Sequence, residues 1–358
     1  MMNISLVKTA VFIITFGGSY IASASLGGGA DSYWISRTHS NLNKIENYSA
    51  TIEQTHSGSP DKILSQVQFT KPSNFHLSVS QPSDLKGFEA GFNDHSILLH
   101  NPNTRSAIKL DGLKSPTASS TLEQVKNIYD YNLANYEHVF TPSINIAERL
   151  SVGLNFVAKD EEADIVNLNS FSDYHYSMFM QANYSFKSGA TSKLTHRTMV
   201  FNQDNISLPP LTVPKKTELL YWDFNRASLS DKQARERISA DVRWPTDTED
   251  TWGFGQHQFY QQSNAQTAAA YFYNDAFFVI ALTQPANAKK ELMEGAPLLL
   301  NKTPVQFSQW PSFSNLVFEL HGIQYTLISN VHPQSLIDMA EGMLSQQESG
   351  NKFYLTGE

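Results

Sequence analysis

The stretch FHLSVSQPSDLKGFEAGFNDHSILLHNPNTRSAIKL, residues 75–110, decides the fold. Phe75, Leu77 and Val79 alternate with His76, Ser78 and Ser80, and Phe88, Ala90 and Phe92 repeat the pattern. Apolar residues at 97–99 and 107–110 follow. Between them fall QPSD, NDHS and NPNT, turn sequences too short to bridge anything but hairpins. The pattern predicts consecutive antiparallel strands, each with one apolar and one polar face. Almost nothing on the apolar face is chemically reactive, so this wall suits holding a molecule better than transforming one.

The same period extends upstream. Tyr48, Ala50 and Ile52 alternate with Ser49, Thr51 and Glu53, and Val67 and Phe69 with Gln66, Gln68 and Thr70. A helix is predicted over 31–45, with Leu42 and Ile45 facing inward. At 120–138 the period changes: Ser120 with Glu123 reads as a capping box, and Leu122, Val125, Ile128, Tyr129 and Leu133 form one apolar helical stripe. Such a stripe needs a surface, and the sheet is the one at hand. Strands are expected in 174–186 and 217–229. SLPPLTVPKK (207–216) is expected to be a loop, because its prolines cannot donate to a ladder. The last hundred residues read as a small α+β unit: two strands around Asn274 and Asp275, a hairpin turning at His321 and Gly322, and a closing helix with Pro333 in its first turn.

The chain has 358 residues, 26 basic against 34 acidic, for a formal charge of −8. Its basic residues are scattered, which argues against nucleic acid and against anionic lipid headgroups as partners. There is no cysteine, which removes disulfides, thiolate catalysis and lipidation of an N-terminal cysteine. The first 24 residues, with Lys8, an apolar run and a small-residue site near Ala24, read as a secretory signal; an uncleaved N-terminal anchor is the alternative. Localisation outside the cytoplasm, periplasmic or at the cell surface, follows.

Signatures of catalysis are sparse. No two of the histidines sit in His-Glu-x-x-His, and Gly-x-Ser-x-Gly is missing from the chain beyond the signal. His76, His95 and His100 lie close in sequence, but a metal there would need two of them on one sheet face with a third ligand, and they read as ordinary polar-face histidines. Asp173 and His175 have the residue types of a base and its orienter, without an adjacent nucleophile. KDEEAD (159–164) lacks the oxygen spacing of a calcium loop and reads as a solvated turn; DTED (247–250) reads as a linker. No cofactor, metal or catalytic residue is expected.

VQFTKP, NFHLSVSQP and GFEAGFNDHSILLHNPNTRSAIKL together resemble the outer-membrane lipoprotein carrier (LolA) family, with Asp94-His95 where its members typically have Asp-Gly. The likeness covers about residues 35–140. The tail, with Gly322, Tyr325, Pro333, Leu336 and Ala340, is similar to a small C-terminal domain of bacterial extracytoplasmic proteins, a layout shared with the RseB-type sigma-factor regulators. The resemblance implies an α+β, mostly antiparallel fold: an incomplete β-barrel over 25–245 with covering helices, then a smaller α+β domain over 253–346. It implies a non-enzymatic protein whose apolar inner face holds a lipid or lipoprotein acyl chain. The candidate wall is Tyr48, Ile52, Val67, Phe69, Phe75, Leu77, Phe88 and Phe92. Two rivals stand beside it: a regulatory protein that binds an exported or membrane protein, and a secreted hydrolase, for which His95, Asp173 and His175 are the residues to test.

Overall fold

The computed structural model describes residues 29–71, 74–93, 95–114, 120–245, 254–262, 265–274, 277–286, 295–310 and 313–345. The expected signal at 1–24 and the DTED linker lie outside them. The chain runs α1 (Gly29–Leu42), β1 (Asn47–His56), β2 (Ile63–Thr70), β3 (Asn74–Gln81), β4 (Glu89–Asn93), β5 (Ser96–Asn101), β6 (Ser106–Asp111) and α2 (Ser120–Asn135). It continues through β7 (Tyr136–Ile146), β8 (Arg149–Ala158), β9 (Ile165–Asp173), β10 (Phe179–Phe186), β11 (Thr191–Phe201), β12 (Glu218–Asp223) and α3 (Asp231–Arg237).

These strands form one twelve-stranded sheet in the order β12-β6-β5-β4-β3-β2-β1-β11-β10-β9-β8-β7. The strands β1 to β6 are one meander and β7 to β11 another, and α2 carries the chain between them. The two join where β11 pairs antiparallel with β1, setting Tyr48 opposite Phe201. Tyr48 packs on Phe69 and Phe201, with ring centroids 5.4 and 6.3 Å away, so an aromatic knot fixes that seam. β12 and β7 end the sheet without pairing to each other. It is an open, incomplete barrel.

Among the described strands the one parallel pair is β12 on β6. A hairpin cannot make it, because parallel neighbours need a crossover. From the end of β11 the chain must pass seven strand spacings, roughly 34 Å at ~4.8 Å each. Residues 202–217 cover that path, and at ~3.1 Å per residue an extended proline-rich segment reaches easily.

Helices α1 and α2 lie against the second meander. Tyr129 stacks on Phe179 at 4.7 Å and its hydroxyl bonds Ser172 Oγ. Trp34 lies 5.0 Å from Phe140, and Asn41 Nδ2 donates to Ser177 Oγ at 3.1 Å. Helix α1 ends at Leu42, three residues short of the predicted limit, and both Leu42 and Ile45 are fully buried.

The second sheet holds β13 (Gln256–Gln261), β14 (Ala268–Tyr273), β15 (Phe278–Pro285), β16 (Ala296–Leu300), β17 (Thr303–Trp310), β18 (Phe313–Leu320) and β19 (Ile323–Ser329). Its order is β13-β14-β15-β19-β18-β17-β16. The hairpin between β18 and β19 turns at His321 and Gly322, both in the left-handed region (φ 49° and 74°). Helix α4 (Pro333–Ser345) packs its Leu336, Ile337, Met339, Ala340 and Met343 on this unit. The segment just ahead of β13 also rests here: Leu229 bridges Phe259, Phe224 lies 5.0 Å from Tyr271, and Arg243 N donates to Tyr325 Oη at 2.9 Å. No helix among the described residues is long and apolar enough to cross a membrane.

Candidate functional site

All eight predicted wall residues are buried, between 0 and 2% exposed. Alternation accounts for the shared face: Tyr48, Ala50 and Ile52 sit opposite Phe69, Val67 and Ser65, and Val67 and Phe69 sit opposite Leu77 and Phe75. Phe92 faces Phe75 and Ala90 faces Leu77. Phe88 precedes β4 and continues its inner face; its carbonyl accepts from Val79 N at 2.8 Å.

What covers this wall includes the chain's own second sheet. Phe92 lies 5.0 Å from Phe313, and Phe186 of β10 lies 5.7 Å from Phe307. Gln54 Nε2 donates to the Gln309 carbonyl at 2.6 Å. One continuous apolar core therefore runs from the half-barrel into the second sheet.

At one end of the wall a cavity of about 410 Å³ remains, lined by Thr70, Asn74, Phe75, Phe92, Asn93 and residues 206–211. That size falls within the ~300–1,000 Å³ of small-molecule sites. Phe75 and Phe92 meet edge to face, 6.2 Å apart at 78°. Polar but uncharged Thr70, Asn74, Asn93 and Ser207 stand beside these rings and beside Ile206, Leu208 and Leu211. An apolar chain is stabilised against the half-buried Ile206, Leu208 and Leu211 by leaving water, while the amides and hydroxyls can serve a neutral polar group.

Two of the eight wall residues, Phe75 and Phe92, thus line the cavity; Tyr48, Ile52, Val67, Phe69, Leu77 and Phe88 do not. Sequence reasoning treated 207–216 only as a loop and did not single out Ile206. The available signal was apolar spacing within a proline-rich run: Ile206, Leu208, Leu211 and Val213 are half-buried, while Ser207, Pro209, Pro210 and Thr212 are exposed.

The other end of the inner wall is polar. His56, Ser192 and Tyr184 lie directly opposite one another across β1, β11 and β10, with Gln54, Ser65 and His196 nearby and all six buried. Burial lowers the affinity of His56 and His196 for a proton, bringing each pKa to about 4.

Comparison with known proteins adds likenesses of fold. A crystal structure of MucB aligns over 89% of this chain and 98% of its own, at 12% identity and TM-score 0.45. The complex structure of Pseudomonas aeruginosa MucA/MucB aligns over 87% and 97%, at 12% identity and TM-score 0.43. A LolA superfamily protein from Nitrosomonas europaea aligns over 48% of this chain and 95% of its own, at 13% identity and TM-score 0.23. No family model and no curated protein matches. The fold described above rests on the strand order.

The groups weighed for chemistry have other partners. Asp173 is 2% exposed; its carboxylate accepts from Arg149 Nε at 2.5 Å and from the backbone N–H groups of His175 and Tyr176 at 2.9 and 2.7 Å. The His175 ring is exposed, and its backbone makes the contact. His95 Nδ1 lies 3.3 Å from the Leu113 carbonyl. His76 and His100 sit on the outer face beside Glu89, and burial lowers both pKa values.

A carboxylate cluster was not legible beforehand. Asp164, the last residue of KDEEAD, meets Asp338 and Glu341 of α4, with one oxygen from each within 4.8 Å of the others. Burial raises all three pKa values, Asp338 to about 6, and mutual repulsion adds to the rise at Asp338 and Glu341. Such a trio can share protons or hold a cation.

Proposed function

We propose that this protein is an extracytoplasmic, non-enzymatic binding protein that takes an acyl chain, from a lipid or a lipid-modified protein, at the cavity floored by Phe75 and Phe92. The observation that carries the reading is the lining itself. Phe75, Phe92, Ile206, Leu208 and Leu211, with Thr70, Asn74, Asn93 and Ser207, border an uncharged hollow of about 410 Å³ at the end of the wall away from its polar His56 end. Each methylene moved there from water contributes ~0.8 kcal/mol, so a partly inserted chain gains enough for reversible capture.

The test is to purify the protein gently, extract it and analyse the extract by lipid mass spectrometry, alongside uptake of cis-parinaric acid. Bound amphiphile, or uptake that Phe92→Asp abolishes, is expected. Repeated absence of both overturns the reading.

A second reading, regulation through an exported or membrane protein partner, is favoured by one contact. Phe92 touches Phe75 in the cavity and Phe313 of the second sheet, 6.2 and 5.0 Å away. Filling the cavity would therefore press on the seam between the two units. A stoichiometric protein partner whose release follows acyl-chain binding would favour this reading.

A further inference from the structure

We infer that residues 204–217 form a hinged strap that gates the cavity, held down by its apolar side chains with Leu211, seated on Gly91, as the latch. The inference rests on the binding reading above and names its regulation.

The strap is forced by topology, since the chain must cross from β11 to the far edge of the sheet to lay down β12 beside β6. Its two ends are fixed. Asn202 Oδ1 accepts from Glu46 N at 2.8 Å, Gln203 N donates to Asn47 Oδ1 at 2.8 Å, and Glu218 N donates to the Arg105 carbonyl at 2.8 Å. Between Ile206 and Pro214, no hydrogen bond ties the segment to any described residue outside it. Asn205 and Lys216 hold left-handed φ values of 61° and 67° near either end. Pro209, Pro210 and Pro214 keep the span stiff, so it swings as a unit and loses little chain entropy on closing.

What holds the span down is apolar. Ile206, Leu208, Leu211 and Val213 face the protein and their neighbours face solvent. Gly91 sits on the outer face of β4, opposite in parity to Phe92, and a Cβ built there would overlap Leu211 Cδ2. Glycine leaves the socket into which this leucine fits. The same span forms one side of the cavity floored by Phe75 and Phe92, so lifting Leu211 opens it. Segments with few hydrogen bonds and little buried area are those that open sub-globally at low cost.

Two measurements test this. The first needs no ligand. Nitroxides at Ser207→Cys and Asn93→Cys, in a chain with no native cysteine, report the width of the mouth by pulsed electron spin resonance. Gly91→Ala, which fills the socket, and Leu211→Ala, which empties it without adding atoms, should each add a longer-distance population. Unchanged distributions in both overturn the strap. The second uses the pair Gly91→Cys and Leu211→Cys, oxidised to a disulfide and then reduced. Uptake of cis-parinaric acid should be at least about tenfold faster after reduction, the scale expected when a half-buried apolar anchor is freed. Equal uptake by both forms overturns the gate while leaving the binding reading intact. A distance shift with no uptake by any form keeps the strap and overturns the acyl-chain reading.

Discussion

Phe92 of the half-barrel and Phe313 of the second sheet pack with ring centroids 5.0 Å apart, both about 1% exposed. The contact joins the two units, together with the packing of Phe186 on Phe307 and the hydrogen bond from Gln54 to the Gln309 carbonyl. Truncating a buried aromatic costs ~3–5 kcal/mol. Phe313→Ala should therefore lower the urea midpoint substantially and split one cooperative transition into two, read by fluorescence and by circular dichroism together. A single unshifted transition would mean the contact carries no stability.

Asp173 and His175 separate a structural role from a catalytic one. The Asp173 carboxylate neutralises Arg149, whose guanidinium lies 5.5 Å from the Tyr176 ring centroid and 4.8 Å from that of Phe201. Asp173→Asn leaves that cation without its counter-charge, and a broken buried pair costs ~3–5 kcal/mol, less here because Arg149 is a quarter exposed. His175→Ala removes only an exposed ring and should stay within about 0.5 kcal/mol of the parent. Equal losses of stability from the two substitutions would contradict this account.

The inner wall was legible because its information is local: period-two alternation names the shared face of β1 to β4 without knowledge of their partners. Its covering was not. Phe313 is 221 positions from Phe92 in sequence, and Asp164 is 174 from Asp338. The pairing of β11 with β1 is equally remote, so the joining of two meanders into one sheet leaves no local trace. Residues 207–216 could be excluded from a strand by their prolines. Their role as a cavity wall depends on Gly91, whose missing side chain says nothing until Leu211 is placed over it.

Acid sensitivity should follow from the buried histidines. Burial holds His56 and His196 at about 4, below the ~6.5 of an unfolded histidine. The unfolded chain thus binds more protons between those values. Stability is full above pH 6.5 and falls as pH drops toward 4, by up to about 3 kcal/mol for each ring. His56 Nδ1 has no hydrogen-bond partner, so His56→Leu removes a titrating group without leaving a partner unpaired. The variant should match the parent within about 1 kcal/mol at pH 7 and lose less stability at pH 4. Parallel pH profiles for the two proteins would refute the assignment.

Asp338 should act in the opposite direction. Burial first, then the charges of Asp164 and Asp160, hold it at about 6 against the pull of Gln334. Its folded affinity for protons exceeds the unfolded one, so the folded chain binds more protons between about pH 4 and 6. Stability is therefore highest below pH 4 and falls as pH rises from about 4 to 6, with the full cost of the charge present above pH 6. Burial, then the charges of Asp164, Asp338 and Glu162, raises Glu341, while Lys187, which bonds Glu162 at 2.6 Å, relieves both Asp164 and Glu341. Asp338→Asn keeps an oxygen to accept from Gln334 Nε2, now at 2.6 Å, and removes the charge. Since Asp338 is partly exposed, the shift is discounted for solvent screening, leaving a gain of about 1–2 kcal/mol at pH 7. That gain should disappear near pH 4, where the parent carboxyl is already protonated. Urea unfolding of both proteins at pH 4, 5.5 and 7 measures it, and a variant no more stable than the parent at pH 7 would remove the case for a destabilising charge in this cluster.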